Sequence, residues 1–123
     1  MSKIPHELKQ HIQQAYTDYL ESRQLKPRYG QKLMIAEIVK GLLDTDQSPP
    51  ICVVEAGTGT GKTVAYLLAM LPLAKHLGKK LVLSTATVAL QEQIVLKDLP
   101  ELLQHSNLSF DFVLAKGRGR YLC

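Results

Sequence analysis

The fold is decided by residues 54–63, which read VEAGTGTGKT. An apolar run precedes a glycine-rich turn, and the sequence GKT stands where a helix would begin. Glycine adopts positive φ angles readily and lets the backbone approach a ligand closely. This order of strand, glycine-rich turn and helix is typical of a phosphate-binding loop, in which backbone N–H groups point at an anion from a helix N-terminus. We call residues 54–63 the phosphate loop.

Two polar side chains at the end of the phosphate loop carry the predicted chemistry. Lys62 is placed to reach the β- and γ-phosphates of a nucleotide, and the Thr63 hydroxyl to bind Mg²⁺. Ala56 stands where the usual pattern has glycine, a minor departure because alanine is also small. The alternative is a glycine-rich turn with an exposed lysine and no ligand, which the flanking strand and helix patterns disfavour. The predicted nucleotide-binding residues of the loop are Ala56, Gly57, Thr58, Gly59, Thr60, Gly61, Lys62 and Thr63.

Hydrophobic patterns around the phosphate loop predict an α/β fold. Short apolar runs are typical of buried strands, and longer periodic segments are typical of helices. The patterns place strands at residues 51–54, 80–84 and 110–115, and helices at residues 61–77 and 88–99. Pro72 is expected to kink or break the first of these helices, and Pro100 to end the second, after which residues 101–105 are expected to add a helical turn. Because strands alternate with helices in the order β-α-β-α-β, we expect a parallel sheet with right-handed crossovers.

Two amphipathic helices are predicted before the first strand. The stripe of the first comprises Ile4, Leu8, Ile12, Ala15, Tyr16, Tyr19 and Leu20, with Pro5 suited to its first turn. The stripe of the second comprises Met34, Ile35, Ile38, Val39, Leu42 and Leu43, and this helix is expected to start near Gly30. Residues 44–50 are predicted to be a polar, proline-rich loop.

Composition limits the class of protein. The 123 residues suffice for one domain, and 46% hydrophobic and 21% charged residues are ordinary globular usage. A net charge of +4 permits an anionic partner. The longest apolar run is too short to span a bilayer, so no membrane partner is predicted. Two cysteines exclude a disulfide scaffold, and we expect a reducing cytoplasm.

Four segments in a fixed order carry a resemblance to a known family. RYGQKLMI at residues 28–35 precedes the phosphate loop, and STATVALQEQI at 84–94 and KGRGRYLC at 116–123 follow it. Together they closely resemble the N-terminus of DinG-type proteins, a branch of the DinG/XPD-like superfamily 2 DNA helicases. The sister YoaA group matches nearly as well. The resemblance covers residues 27–123 and is weak before Pro27.

The resemblance implies a fold, an activity and partners. It implies that residues 27–123 are the first part of a RecA-like ATP-binding domain, cut off at the start of an iron–sulfur region, after a helical segment at residues 1–26. Family members hydrolyse ATP with Mg²⁺, move 5′ to 3′ along single-stranded DNA and unwind forked or hybrid duplexes in DNA repair. We expect the chain to be the N-terminal piece of such an enzyme, acting as a monomer.

The resemblance also implies roles for residues outside the phosphate loop. Arg28 and Gln31 match a segment that contacts adenine, although Gln31 is otherwise an ordinary polar helix position. Thr85, Thr87 and Gln91 match a segment that holds the DNA backbone. For Thr87 the alternative is a helix N-cap, and both roles are compatible.

Cys123 matches the first ligand of the family's [4Fe–4S] cluster. One thiolate cannot hold a cluster, so the remaining ligands are expected outside this chain. Without the resemblance, Cys123 is an incidental free thiol. Cys52, by contrast, is predicted to be a small buried residue of the first strand.

The sequence lacks one group that phosphoryl transfer requires. An acidic residue usually holds Mg²⁺ and positions water, but no apolar run after the phosphate loop ends in an Asp-Glu pair. We therefore expect this chain alone to bind nucleotide without turning it over at a useful rate. Two alternatives to a helicase remain, namely a small P-loop phosphotransferase and a non-catalytic module that binds nucleotide or DNA.

Overall fold

Helices make up most of the part of the chain that the structure describes. The structure is a computed structural model, and it describes residues 4–43, 51–54 and 61–115. The helices are α1 (His6–Ser22), α2 (Tyr29–Leu42), α3 (Lys62–Leu77), α4 (Val88–Gln93) and α5 (Leu99–His105), with a π-helical segment (Ile94–Asp98) between α4 and α5. The loop predicted at residues 44–50 lies outside the described residues.

The two predicted N-terminal helices are confirmed, and their apolar stripes form one side of the core. Buried on α1 are Leu8, Ile12, Ala15, Tyr16, Tyr19 and Leu20, and buried on α2 are Gln31, Met34, Ile35, Ile38 and Val39. Pro5, predicted to lie in the first turn of this helix, is instead the N-cap of α1, directly before the first helical residue. Arg28, in an extended conformation, is the N-cap of α2.

Helix α3 lies at the centre and packs against both α1 and α2. Its residues Ala65, Leu67, Leu68 and Ala69 are fully buried. Gly78 ends α3 as predicted, in the left-handed conformation at φ 64° that favours glycine. Pro72 lies inside the helix and does not end it.

Helical structure in the second half of the chain passes Pro100, where the helix is predicted to end. It continues without a break through α5 to His105, which includes the helical turn predicted at residues 101–105. A proline ring clashes with the carbonyl four residues earlier, here that of Leu96, and supplies no N–H. The π-helical segment widens the turn just before Pro100, where the Leu99 N–H donates to the Ile94 carbonyl five residues back. One wide turn therefore lets the helix pass the proline.

The predicted parallel sheet, and with it the α/β fold class, is wrong for the part of the chain described: residues 4–43, 51–54 and 61–115 contain no strand. The three predicted strand segments run alongside the helices without pairing. Cys52, Leu83 and Phe110 pack against the core, whereas Val53 and Val113 are 92% and 94% exposed. A parallel sheet is stable when both of its faces are covered, and here each segment is covered on one side. Cys52, Leu83 and Phe110 therefore pack against the helical core as individual side chains and not as part of a sheet.

Polar contacts join the C-terminal end of α1 to α5. The Arg23 guanidinium donates to a Glu101 carboxylate oxygen at 2.5 Å, and the Ser22 hydroxyl lies 2.6 Å from Nδ1 of His105. None of the described helices has both the length and the apolar character needed to cross a membrane.

One carboxylate is buried without full compensation. Asp98, in the π-helical segment, is 6% exposed, and its Oδ2 has no hydrogen-bond partner among the described residues. Burial raises the pKa of this carboxyl above its ordinary value of 3.8, while Lys97 opposes the rise and Glu101 adds to it. Burial disfavours the charged form because the surroundings solvate it poorly.

We predict that Asp98→Asn raises the melting temperature at pH 7. The folded state binds a proton more tightly than the unfolded state, so ionised Asp98 costs stability at any pH above its raised pKa. The neutral amide removes that cost. Thermal unfolding followed by circular dichroism should show the largest gain near neutral pH, shrinking as the pH falls towards 3.8.

Asp111→Asn provides the control, because Asp111 is exposed and its charge stays solvated. A gain for Asp98→Asn that is equal at acidic and neutral pH would contradict the assignment of the effect to the buried charge.

Candidate nucleotide-binding site

The end of the phosphate loop forms the N-terminus of α3. Gly61 is the N-cap in the left-handed conformation, at φ 70° and ψ 46°, and its carbonyl accepts from the Ala65 N–H at 3.0 Å. A Cβ atom at this position would lie 2.2 Å from Nε2 of Gln31. The positive φ and the close approach both require glycine here. The other predicted phosphate-binding residues, Ala56, Gly57, Thr58, Gly59 and Thr60, lie outside the described residues.

Lys62 and Thr63 occupy the first turn of α3 and have different surroundings. Lys62 is exposed and Thr63 is half-buried. Since α3 has 16 residues and no acidic residue in its first turn, its unpaired N–H groups and dipole favour an anion at this end. A flexible cation beside those N–H groups suits phosphate binding.

Thr63 has a tyrosine neighbour on the same face of α3. Tyr66 lies three positions later, close to one turn of the helix. Burial raises the pKa of the Tyr66 phenol, more than the nearby Thr63 side chain lowers it and with a further rise from Asp98. Tyr66 therefore stays protonated beside the Thr63 side chain.

Gln31 lies directly against Gly61. Its Nε2 donates to the Gly61 carbonyl at 3.4 Å, and its Oε1 accepts from the Tyr16 hydroxyl at 2.9 Å. The backbone N–H of Arg28 donates to the same Tyr16 hydroxyl at 3.2 Å. The structure thus brings Gln31 to the end of the phosphate loop, and the Arg28 backbone is linked to Gln31 through the Tyr16 hydroxyl.

Sequence reasoning missed Tyr16 as a member of this site. It treated Tyr16 only as part of an apolar stripe. A buried tyrosine hydroxyl normally has a hydrogen-bond partner, so a tyrosine on the core face of a helix is itself a signal of a buried polar contact. The sequence alone does not say which partner it finds.

The residues predicted to hold DNA lie on another part of the chain, at the start of α4. Thr87 is the N-cap, and its Oγ1 accepts from the Leu90 N–H at 3.2 Å. The Thr85 hydroxyl donates to the Thr87 carbonyl at 3.3 Å, and Nε2 of Gln91 donates to the Ala115 carbonyl at 3.4 Å. The N-cap role considered for Thr87 is therefore confirmed, and the same hydroxyl keeps its proton free to donate to a phosphate.

The predicted cluster ligand, Cys123, lies outside the described residues. Within the described ranges no group of three or more His, Cys, Asp or Glu side chains could hold a metal ion. Cys52, which is described, is half-buried, and its thiol lies 3.7 Å from the Glu37 carbonyl. The donors of the described part therefore do not fit an iron–sulfur cluster.

Comparisons with known proteins find helicases that are similar to this chain. A protein from Photobacterium profundum named ATP-dependent DNA helicase DinG is 51% identical over 98 residues, which are 79% of this chain and 14% of that protein. Proteins of the same name from Escherichia coli and Salmonella typhimurium are 45% and 44% identical over 97 residues, which are 79% of this chain and 13% of each relative. The chain thus spans about one seventh of the length of the curated relatives it matches.

The match to a family model extends well beyond the residues of the candidate site. The model described as DEAD/DEAH box helicase matches residues 28–120, which include Arg28, Gln31, the whole phosphate loop and the start of α4. Since this match covers well over half of the sequence, the chain belongs to the DEAD/DEAH box helicase family.

Proposed function

We propose that this chain supplies the nucleotide-binding part of an ATP-dependent DNA helicase of the DinG type. The observation that carries the proposal is the contact between Gln31 and Gly61, because it sets a side-chain amide of the kind that can hydrogen-bond a base against the N-cap of α3. The names of the relatives and the family match support the same activity.

The chain's own residues divide the work of binding a nucleotide. The N–H groups at the start of α3 and the Lys62 ammonium bind the phosphate oxygens and neutralise their charge. The Thr63 hydroxyl would be the oxygen donor for Mg²⁺, and Gln31 would hydrogen-bond the adenine. When bound, Mg²⁺ supplies neutralisation of the charge that develops on the transferred phosphoryl group.

DNA binding is proposed for the start of α4. The Thr87 hydroxyl and the nearby Gln91 amide are donors of the kind that contact phosphate oxygens without reading sequence. The Thr85 hydroxyl would join them by exchanging its bond to the Thr87 carbonyl for one to a phosphate. The capping bond to Leu90 fixes the Thr87 side chain, so the hydroxyl donates from a constant position. Single-stranded DNA and forked or hybrid duplexes are the proposed substrates, with movement from 5′ to 3′.

Three further properties belong to the same proposal. Cys123 is proposed as one ligand of a [4Fe–4S] cluster whose other ligands lie elsewhere in the protein. The enzyme is proposed to act as a monomer in the cytoplasm. It is proposed to serve DNA repair.

We predict that Lys62→Ala weakens ATP binding by at least about tenfold, because the variant loses charge-assisted hydrogen bonds to phosphate. Isothermal titration calorimetry of this chain with ATP and Mg²⁺ measures the effect. Lys75→Ala is the matched control, because Lys75 is an exposed lysine at the other end of α3. In the whole helicase, Lys62→Ala should abolish ATP hydrolysis and unwinding while single-stranded DNA binding largely survives.

The outcomes separate the proposal from its alternatives. Equal ATP binding by the wild type and Lys62→Ala would show that the phosphate loop does not bind the nucleotide. Binding without hydrolysis in the whole protein would favour a non-catalytic module. Transfer of the γ-phosphate to a small acceptor would favour a phosphotransferase.

We predict that Cys123→Ser in the whole protein removes the bound iron and the brown absorbance of the cluster, because a hydroxyl replaces thiolate poorly as an iron ligand. The matched control is Cys52→Ser, which changes the other cysteine of the chain and should keep both signals. Iron content and the visible absorption spectrum are the measurements. Full iron content in Cys123→Ser would exclude that thiol as a ligand.

A further inference from the structure

The Tyr16 hydroxyl is buried between two helices and takes part in a continuous chain of hydrogen bonds. The Arg28 N–H donates to the Tyr16 hydroxyl at 3.2 Å, which donates to Oε1 of Gln31 at 2.9 Å. Nε2 of Gln31 donates in turn to the Gly61 carbonyl at 3.4 Å. Tyr16 is 7% exposed and Gln31 is 8% exposed, so water competes little for these groups.

The two backbone groups at the ends of this series of hydrogen bonds fix the direction of every bond in it. A backbone N–H can only donate, so the Tyr16 oxygen accepts from Arg28 and its single proton goes to Gln31. A backbone carbonyl can only accept, so the end of the amide that faces Gly61 must be the NH₂ group. Turning the amide by 180° would set its oxygen against the Gly61 carbonyl oxygen and leave the Tyr16 proton without an acceptor. The orientation of the Gln31 amide is thus set by its two neighbours.

The two ends of the amide keep some capacity for a ligand. An amide offers two N–H donors and two oxygen lone pairs, and the contacts with Tyr16 and Gly61 use one of each. One N–H donor on the nitrogen and one lone pair on the oxygen remain, on an amide whose orientation is fixed. Adenine presents an amino donor beside a ring-nitrogen acceptor, which matches that order. Guanine presents a carbonyl oxygen where adenine has the amino group, so a fixed amide oxygen faces it with repulsion.

We propose that Tyr16 is a positioning residue that makes the site select adenine over guanine nucleotides, by holding the Gln31 amide in one orientation. The inference rests on the proposed function, in which Gln31 hydrogen-bonds the base. It assigns a role in the site to α1, which lies before the residues matched by the family model. Without the hydroxyl, one of the two contacts that fix the amide is lost and the amide turns more freely. The turned amide matches the guanine edge on which the carbonyl oxygen stands beside a ring N–H donor, the reverse of the order in adenine.

Tyr16→Phe tests the proposal, because it removes the hydroxyl and keeps the ring in the core. Calorimetric titration of the chain with ATP and with GTP gives the ratio of the two dissociation constants. We expect the preference for ATP to fall by about three- to tenfold, the size of one lost buried hydrogen bond. A role in packing alone would weaken both nucleotides equally and leave the ratio unchanged, and that result would overturn the proposal.

Tyr19→Phe is the matched control on the same helix. Tyr19 is 5% exposed, and its hydroxyl accepts from the Arg23 guanidinium at 3.3 Å instead of contacting Gln31. The same loss of a buried hydroxyl should therefore leave the ATP to GTP ratio at its wild-type value. An equal change of ratio in Tyr16→Phe and Tyr19→Phe would overturn the proposal.

A double-mutant cycle shows whether Tyr16 acts through Gln31. Gln31→Ala alone should remove the preference, and adding Tyr16→Phe to it should change the ratio no further. A further change of the same size in that background would contradict the proposed route. If Tyr16→Phe does not fold, as judged by circular dichroism, Gln31→Met takes its place, and retained preference in that variant overturns the proposal.

Failure of this inference and failure of the proposed function give different results. If the wild type binds ATP and the Lys62→Ala variant does not, the proposed function stands, whatever the result for Tyr16→Phe. Equal affinity of the wild type for ATP and GTP would overturn the inference alone. A wild type that binds neither nucleotide would remove both.

Discussion

The burial of α3 between α1 and α2 is the constraint on which the rest of the structure depends. Each fully buried leucine of α3, such as Leu67 and Leu68, contributes about 1.5–3 kcal/mol relative to exposure. A helix held in this way cannot move along its axis without opening the core. Its N-terminus is therefore a fixed point, and Gly61, Lys62 and Thr63 are positioned by the packing of residues one or two turns away.

The helices could be predicted well from the sequence because the spacing of apolar residues that defines a helix lies within the helix itself. The three- and four-residue spacing on α1 and α2 recurs in the buried residues of both helices. The strands were predicted wrongly because a strand depends on a partner, and an apolar run such as residues 51–54 looks the same whether or not it pairs. A helical turn was predicted at residues 101–105, but its unbroken connection through Pro100 was missed because a π-helical turn leaves no mark in the spacing of apolar residues.

The candidate site was predictable only in part, for a related reason. Consecutive residues define the phosphate loop, so Lys62 and Thr63 could be assigned from the sequence. The contact of Gln31 with Gly61 spans 30 positions and that of Tyr16 with Gln31 spans 15, and no local pattern encodes either. The resemblance to a family pointed to Gln31, but it is weak before Pro27 and so could not point to Tyr16.

Helix α1 takes part in two polar contacts of the core although it lies before the matched residues 28–120. Tyr16 donates to Gln31 of α2, and Arg23, the C-cap residue of α1, binds Glu101 of α5. A shift of α1 along α2 would leave buried polar groups of Tyr16 and Gln31 unpaired, at a cost of about 1–3 kcal/mol for each group. The same shift would break the contact between Arg23 and Glu101. A helix outside the matched region therefore fixes the Gln31 side chain, which lies against the N-cap of α3.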